Sequence, residues 1–452
     1  MSFKGILKRI KPTKREKKQM KKFTDNLIKK IKKMTKEAKP LVCGSIAKNT
    51  WISKNKEIDL FLLYPSSISK KELEKRGLEL AKKIVKESKG RYEIAFSEHP
   101  YLRAYIKDFE IDIVPCYSIK DPEKIKSAVD RTPFHVKFVQ KNLKKPDDVR
   151  LLKQFCIANK CYGADAKNQG FSGYLCELLI IKYKDFMNCV KEASKWRAGE
   201  LISFTQLDKK STLKKFKTPL IFIDPVDKNR NVGAAVSVES FYRFVKACKD
   251  FIENPSSKFF LLRKTEPYSS KTLFKRIKKR GTSWYLLKFK KPKILEDVLY
   301  SQMRRCKKAL DRLLTENGFR VLRSTFYCNA DCFLIYEMEI SHVSKVTKHV
   351  GPNVYSKHAE RFLKHYRENK TFIENDNWVV EIEREFTFAL QFLRNLIKKS
   401  EKELLKKGIP SKIVPKIKKC NIYGDNNFLK GINNSPKEFK SFFREWFEED
   451  LF

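Results

Sequence analysis

The stretch Gly44-Ser45-Ile46-Ala47-Lys48-Asn49-Thr50-Trp51, followed by Glu57-Ile58-Asp59-Leu60-Phe61, decides how this chain is read. A short apolar run over residues 40–43 delivers the chain to Gly44-Ser45, and residues 57–64 read as a β-strand. Side chains alternate across a strand, so Glu57 and Asp59 share one face while Ile58 and Leu60 take the other. Neighbouring carboxylates repel unless a cation lies between them, and several oxygens aimed at one point suit Mg²⁺. A second alternating run, Glu110-Ile111-Asp112-Ile113-Val114, offers Asp112 as a third acid. Phosphoryl transfer uses such a set: two divalent cations about 4 Å apart clamp the attacking oxygen and the departing pyrophosphate. Glu57, Asp59 and Asp112 are therefore the candidate catalytic residues and metal ligands. Gly44 permits close backbone approach to a triphosphate, the Ser45 hydroxyl can bond its oxygens, and Lys48 adds a cation one turn on. Each feature alone has a plainer reading, because acid-apolar-acid alternation is common on the solvated face of an edge strand. Their order, on this pattern of elements, favours a site.

Working outward, Met20, Phe23, Leu27, Ile31 and Met34 recur at helical spacing, and a second helical pattern runs through Leu73, Leu80, Ile84 and Val85. Residues 101–106 and 109–114 alternate as paired strands. The first 145 residues thus predict a small mixed sheet with helices on one face. Residues 147–249 turn mostly helical, over 149–159, 173–184 and 237–250. A third region predicts a strand at 284–289, a helix at 294–314, and paired strands at 318–327 and 331–340, an order suggesting an open sheet of RNA-binding type. A basic loop carrying His342, His349 and His358 follows, then one long helix over 384–407 and a Phe/Trp-rich end. There is no clear internal repeat and no long flexible linker.

A chain of 452 residues implies roughly two to four domains. Its 41% hydrophobic content, with 34 Phe, is enough for real cores and excludes a disordered chain. Lys and Arg total 99 against 53 Asp and Glu, a net charge of +46 that points to a polyanionic partner, nucleic acid first. The plainer cause is a lysine-biased composition spread over every surface. The most apolar stretch, residues 174–181, is under half of the roughly 20 residues a membrane span needs. The Lys-rich start lacks the apolar segment of a signal peptide. Eleven scattered cysteines fit free thiols in a reducing cytoplasm, and Cys328 with Cys332 has no second pair at zinc spacing.

Together these residues resemble the polymerase-β-type signature in the form written by the archaeal, class I CCA-adding enzymes. The likeness continues in Ile111-Asp112-Ile113-Val114-Pro115-Cys116-Tyr117 and in residues 128–135, Ala-Val-Asp-Arg-Thr-Pro-Phe-His. It extends through Tyr162-Gly163-Ala164, residues 170–177, Asp224-Pro225-Val226-Asp227 and residues 229–232, and Lys348-His349-Val350-Gly351-Pro352 with Lys357-His358-Ala359-Glu360 resembles a tail segment. The resemblance implies an α+β multidomain fold: a nucleotidyltransferase head (1–145), a helical nucleotide-binding neck (146–262), a tRNA-binding α/β body (263–315 and 396–452) and a tail (316–395) for tRNA binding and dimerisation. It implies triphosphate contacts at Ser45 and Lys48, and cation ligands at Glu57, Asp59 and Asp112. Nucleotide contacts are implied at His135, Lys153 and Tyr162, with Arg230 helping to select the base. The activity implied is template-independent addition of C, C and A to the 3′ end of tRNA from CTP and ATP, with Mg²⁺, release of pyrophosphate and recognition of the acceptor stem, by a cytoplasmic homodimer. Two departures stand out: Lys48 sits where relatives usually carry Arg, and Asp227-Lys228-Asn229 breaks a more basic motif. The alternatives are a poly(A)- or oligoadenylate-forming relative and a non-catalytic RNA-binding protein on the same fold.

Overall fold

The structure, a computed structural model, describes residues 3–96, 100–262 and 264–448. It divides into two compact units that meet in sequence at residue 263.

The first unit opens with helices α1 (Lys4–Ile10) and α2 (Lys14–Met34). The Thr13 side chain accepts from the Glu16 amide while Glu16 reaches back to the Thr13 amide, so α2 starts in a reciprocal capping box. Five strands follow: β1 (Lys39–Val42), β2 (Glu57–Pro65), β3 (Arg91–Phe96), β4 (Pro100–Ile106) and β5 (Phe109–Ser118). They form one sheet in the order β1-β2-β5-β4-β3, with β2 and β5 parallel and the other neighbours antiparallel. A single turn, α3 (Gly44–Ala47), joins β1 to β2, and α4 (Lys70–Glu87) joins β2 to β3. Leu27 and Ile31 of α2 and Ala81 and Ile84 of α4 pack on Ile58, Leu60, Ile111 and Ile113. Those strand residues have the parity opposite to Glu57, Asp59 and Asp112, as the alternation requires.

Two features differ from the sequence reading. The edge strand β3 was not anticipated; Tyr92 and Ile94 stay exposed on it, so its pattern marks no core face. Helices also do not keep to one face, because α5 (Thr132–Asn142) sets Val136 against Phe61 and Val114 on the carboxylate side.

The same unit continues with α6 (Pro146–Ala158), α7 (Gly173–Tyr183) and the helices Phe186–Ala193 and Val238–Glu253, which surround a core rich in Leu, Phe and Cys. Ile6 and Ile10 of α1 join that core. A short parallel pair, β6 (Glu200–Ile202) and β7 (Leu220–Phe222), lies in this part. All eleven cysteines of the chain are free, and all but Cys420 are buried.

The second unit has the strands β8 (Ser283–Lys290), β9 (Arg320–Cys328), β10 (Asp331–Ile340), β11 (Val346–Asn353), β12 (Thr371–Glu374), β13 (Asn377–Glu383) and β14 (Asn421–Gly424). One antiparallel sheet has the order β14-β8-β10-β9, with the helix Glu296–Glu316 against β9; a second has the order β11-β13-β12. The strand-helix-strand-strand run expected between 284 and 340 is present. The basic loop is not: His349 lies within β11, opposite Val380 of β13. The single long helix over 384–407 is also corrected. It is two helices, Ala389–Lys398 and Glu401–Lys406, because Ser400 caps a new start with Glu403 as its reciprocal partner. The apolar spacing of Phe392, Leu393, Leu396 and Leu404 runs across that break, since all four are buried.

Candidate active site

Parallel pairing of β2 with β5 sets Glu57 beside Glu110 and Asp59 beside Asp112. Antiparallel β4 then sets Arg103 opposite Asp112. Arg103 Nε donates to Asp112 Oδ1 at 2.8 Å, a terminal guanidinium nitrogen donates to Oδ2 at 3.1 Å, and Nε lies 3.1 Å from Glu110 Oε1. Asp112 is thus gripped through both oxygens. Glu57 is exposed and accepts from the Asn55 side-chain amide at 3.2 Å. Gly44 turns at φ +61°, and a Cβ there would lie 1.6 Å from Asp59 Oδ2. Only glycine lets this turn rest on the carboxylate. Loss of water and then the Asp112 charge push the Asp59 carboxyl up to about 6, with Glu57 adding to the rise and Lys48 opposing it.

A cleft of about 360 Å³ opens over these groups. Gly44, Ser45, Lys48, Glu57, Asp59, Lys153 and Tyr162 line it, so the structure brings together these candidates from four separate stretches of sequence. Asp112 flanks Asp59 but faces Arg103 and is not among the lining residues. His135 and Arg230 do not line the cleft either. They meet at buried Asp224, whose Oδ2 lies 2.8 Å from His135 Nε2 and accepts from Arg230 at 2.7 Å. Tyr174, a cleft residue, donates to Asp224 Oδ1 at 3.2 Å and stacks on the His135 ring at 4.0 Å. Burial alone would raise the Asp224 carboxyl; its bonds from His135, the Val226 amide and Arg230 win and hold it at about 2. Burial pushes the His135 imidazole below its ordinary range, against the pull of Asp224.

Sequence reasoning missed an acid that lines the cleft together with its two lysines. Glu177, on α7, is fully buried. Its Oε2 lies 2.5 Å from Lys48 Nζ; its Oε1 accepts from the Thr50 hydroxyl and lies 3.7 Å from Lys153 Nζ. Lys153 also donates to the Thr50 carbonyl at 3.1 Å. The available signal was a single acid inside the apolar run of residues 175–181. Arg150, likewise missed, donates to the Trp51 carbonyl at 2.8 Å and the Asn49 carbonyl at 2.6 Å, holding the loop before β2 against α6.

Among the described residues, no three His, Cys, Asp or Glu side chains are arranged to hold a metal. The donor chemistry nevertheless suits a divalent cation at Glu57 and Asp59. Both offer hard oxygen ligands to the cleft, and Asp59 stands beside Asp112 across the parallel strand pair, a crowding of acids that a cation would relieve. Asp112 shares in that set only as far as Arg103 releases it.

Three family models match in succession: "Nucleotidyltransferase domain" over residues 24–135, "tRNA nucleotidyltransferase, second domain" over 147–261, and "CCA-adding enzyme, C-terminal domain" over 280–418. The chain is similar to the CCA-adding enzyme of Archaeoglobus fulgidus, 41% identical over 78% of this chain and 79% of that one. It is also similar to the CCA-adding enzymes of Methanocaldococcus jannaschii, 35% identical over 94% and 96%, and Methanosarcina mazei, 34% identical over 98% and 97%.

Proposed function

The chain belongs to the family of CCA-adding enzymes, tRNA nucleotidyltransferases, and from that membership we propose that it adds C, C and A to the 3′ end of tRNA at the cleft over Glu57 and Asp59. The observation that carries this placement is the pairing of Asp59 with Asp112 beneath Gly44, at a cleft that Lys48 and Lys153 also line. In the reaction the tRNA 3′-oxygen attacks the α-phosphate of CTP twice and of ATP once. A new O–P bond forms, the bond to pyrophosphate breaks, and the hydroxyl proton passes to solvent water.

Glu57 and Asp59, joined by Asp112, are the residues that would hold Mg²⁺, which when bound lowers the pKa of the attacking hydroxyl and neutralises charge on the phosphates. Ser45, Lys48, Lys153 and Tyr162 offer hydroxyl and ammonium donors to the triphosphate. Arg230, fixed by Asp224 and exposed on one side, presents a planar fork to a base edge. His135, bonded to Asp224, supports Tyr174, which stacks on it. We assign residues 1–145 and 146–262 to the nucleotide chemistry. The body (263–315, 396–452) and tail (316–395) are assigned to the tRNA acceptor stem, the tail also joining two copies in the cytoplasm. The net charge of +46 supports a polyanionic substrate, and no helix among the described residues is long and apolar enough to cross a membrane.

The test is incubation of tRNA lacking CCA with CTP, ATP and Mg²⁺, followed by 3′-end sequencing. Ordered C, C, A is expected; tails of A alone would favour the poly(A)-forming alternative. Asp59→Ala should abolish addition and leave tRNA binding intact. Addition that persists in that variant would remove Asp59 from its assigned role.

A further inference from the structure

A buried acid, Glu177, stands among the residues that line the cleft together with its two lysines. α7 is apolar from Leu175 to Ile181 except at Glu177, which is fully buried. A carboxylate there is costly unless it is paired and hydrogen-bonded. Two donors reach it, Lys48 after α3 and the Thr50 hydroxyl in the following loop, and the Lys153 ammonium on α6 lies 3.7 Å away as an ion-pair partner. Thr50 ties the set together, since Lys153 donates to its hydroxyl oxygen at 3.2 Å and its carbonyl at 3.1 Å. Gly173, at the start of α7, leaves room for this arrangement; a Cβ there would lie 3.2 Å from Tyr162 Oη and 3.4 Å from Lys153 Nζ.

Lysine ammoniums are compact charges on flexible stems, and two of them at one wall repel and scatter unless an anion lies between them. Burial also drives Lys153 toward its neutral form. Glu177 opposes that loss, with a smaller contribution from Cys176, while Lys48 and Arg150 reinforce it.

We propose that Glu177 is a positioning residue for the incoming triphosphate, holding the Lys48 ammonium directly and that of Lys153 by way of Thr50, so that both stand ordered at the cleft. The proposal rests on reading the cleft as the nucleotide site.

It is tested by ATP and CTP binding to the full chain, without tRNA, by equilibrium dialysis from about pH 6.5 to about pH 9. Glu177→Gln should bind both nucleotides about tenfold more weakly at the acid end and lose further affinity as pH rises, because Lys153 gives up its proton earlier. Wild type should lose affinity less steeply than Glu177→Gln as pH rises, and Glu177→Asp should recover part of the loss. Far-UV circular dichroism and tRNA affinity should match wild type. If Glu177→Gln does not fold, Thr50→Val, which keeps the carboxylate and removes only the bridging hydroxyl, should weaken nucleotide binding in the same direction.

Nucleotide affinity equal to wild type across the range, in whichever variant folds, overturns the proposal. So does a pH-independent loss accompanied by an equal loss of tRNA binding, which would mark a structural role. Wild type that binds both nucleotides but extends no tRNA would refute the functional reading and leave this inference standing. Wild type that binds neither would sink both.

Discussion

Asp59 owes its setting to a residue with no side chain. A methyl group at Gly44 would occupy the position of the Asp59 oxygen, on a backbone already at φ +61°. Gly44→Ala should therefore cost on the order of 1–3 kcal/mol in stability and at least about 100-fold in addition rate, read by thermal unfolding and single-turnover assays. Rates near wild type would mean that the turn and the carboxylate are independent.

Asp224 gives a prediction in pH. Its carboxyl lies at about 2 against an ordinary 3.8, a depressed value, so the stability it contributes is complete above about pH 4 and lost as pH falls toward 2. The gap corresponds to roughly 2 kcal/mol. Melting curves of wild type and Asp224→Asn should converge between about pH 4 and pH 2; a constant difference through that window would contradict the assignment.

Among elements, the decisive contact is α4 on β5. Gly77 of α4 faces Pro115, and a Cβ at Gly77 would lie 2.4 Å from the proline Cβ. Since β5 carries Asp112, overpacking here should push a whole strand rather than one side chain. Gly77→Ala is expected to destabilise by roughly 1–3 kcal/mol, measured by denaturant unfolding. The strand pattern around the acids was legible because alternation separates Asp59 and Asp112 from Ile58 and Ile113. The break at Ser400 was not: two consecutive helices that bury the same side keep one apolar rhythm, and only the reciprocal Ser400–Glu403 cap divides them. β11 escaped for a related reason, because Val346 and Val350 on it remain exposed and left no buried stripe to read.

At the scale of the molecule, the net charge of +46 has a measurable consequence. If it serves tRNA, binding should release counterions, and affinity should fall on the order of a thousandfold between about 50 and about 200 mM salt. Filter binding across that range decides the matter. A shallow slope would assign most of the lysines to a general bias in composition.

The acids, the glycine turn and their order along the chain were set by sequence alone, because alternation and turn chemistry are local properties of neighbouring residues. Tertiary structure decided which groups meet. It turned Asp112 toward Arg103 on the next strand, drew His135 and Arg230 to Asp224 instead of the cleft, and set Glu177 under Lys48 and Lys153 from a helix 129 and 24 residues away. Charge pairs of that kind form across gaps in sequence that no local pattern spans, since burial and Coulomb attraction act through space and become strong only once water has been excluded.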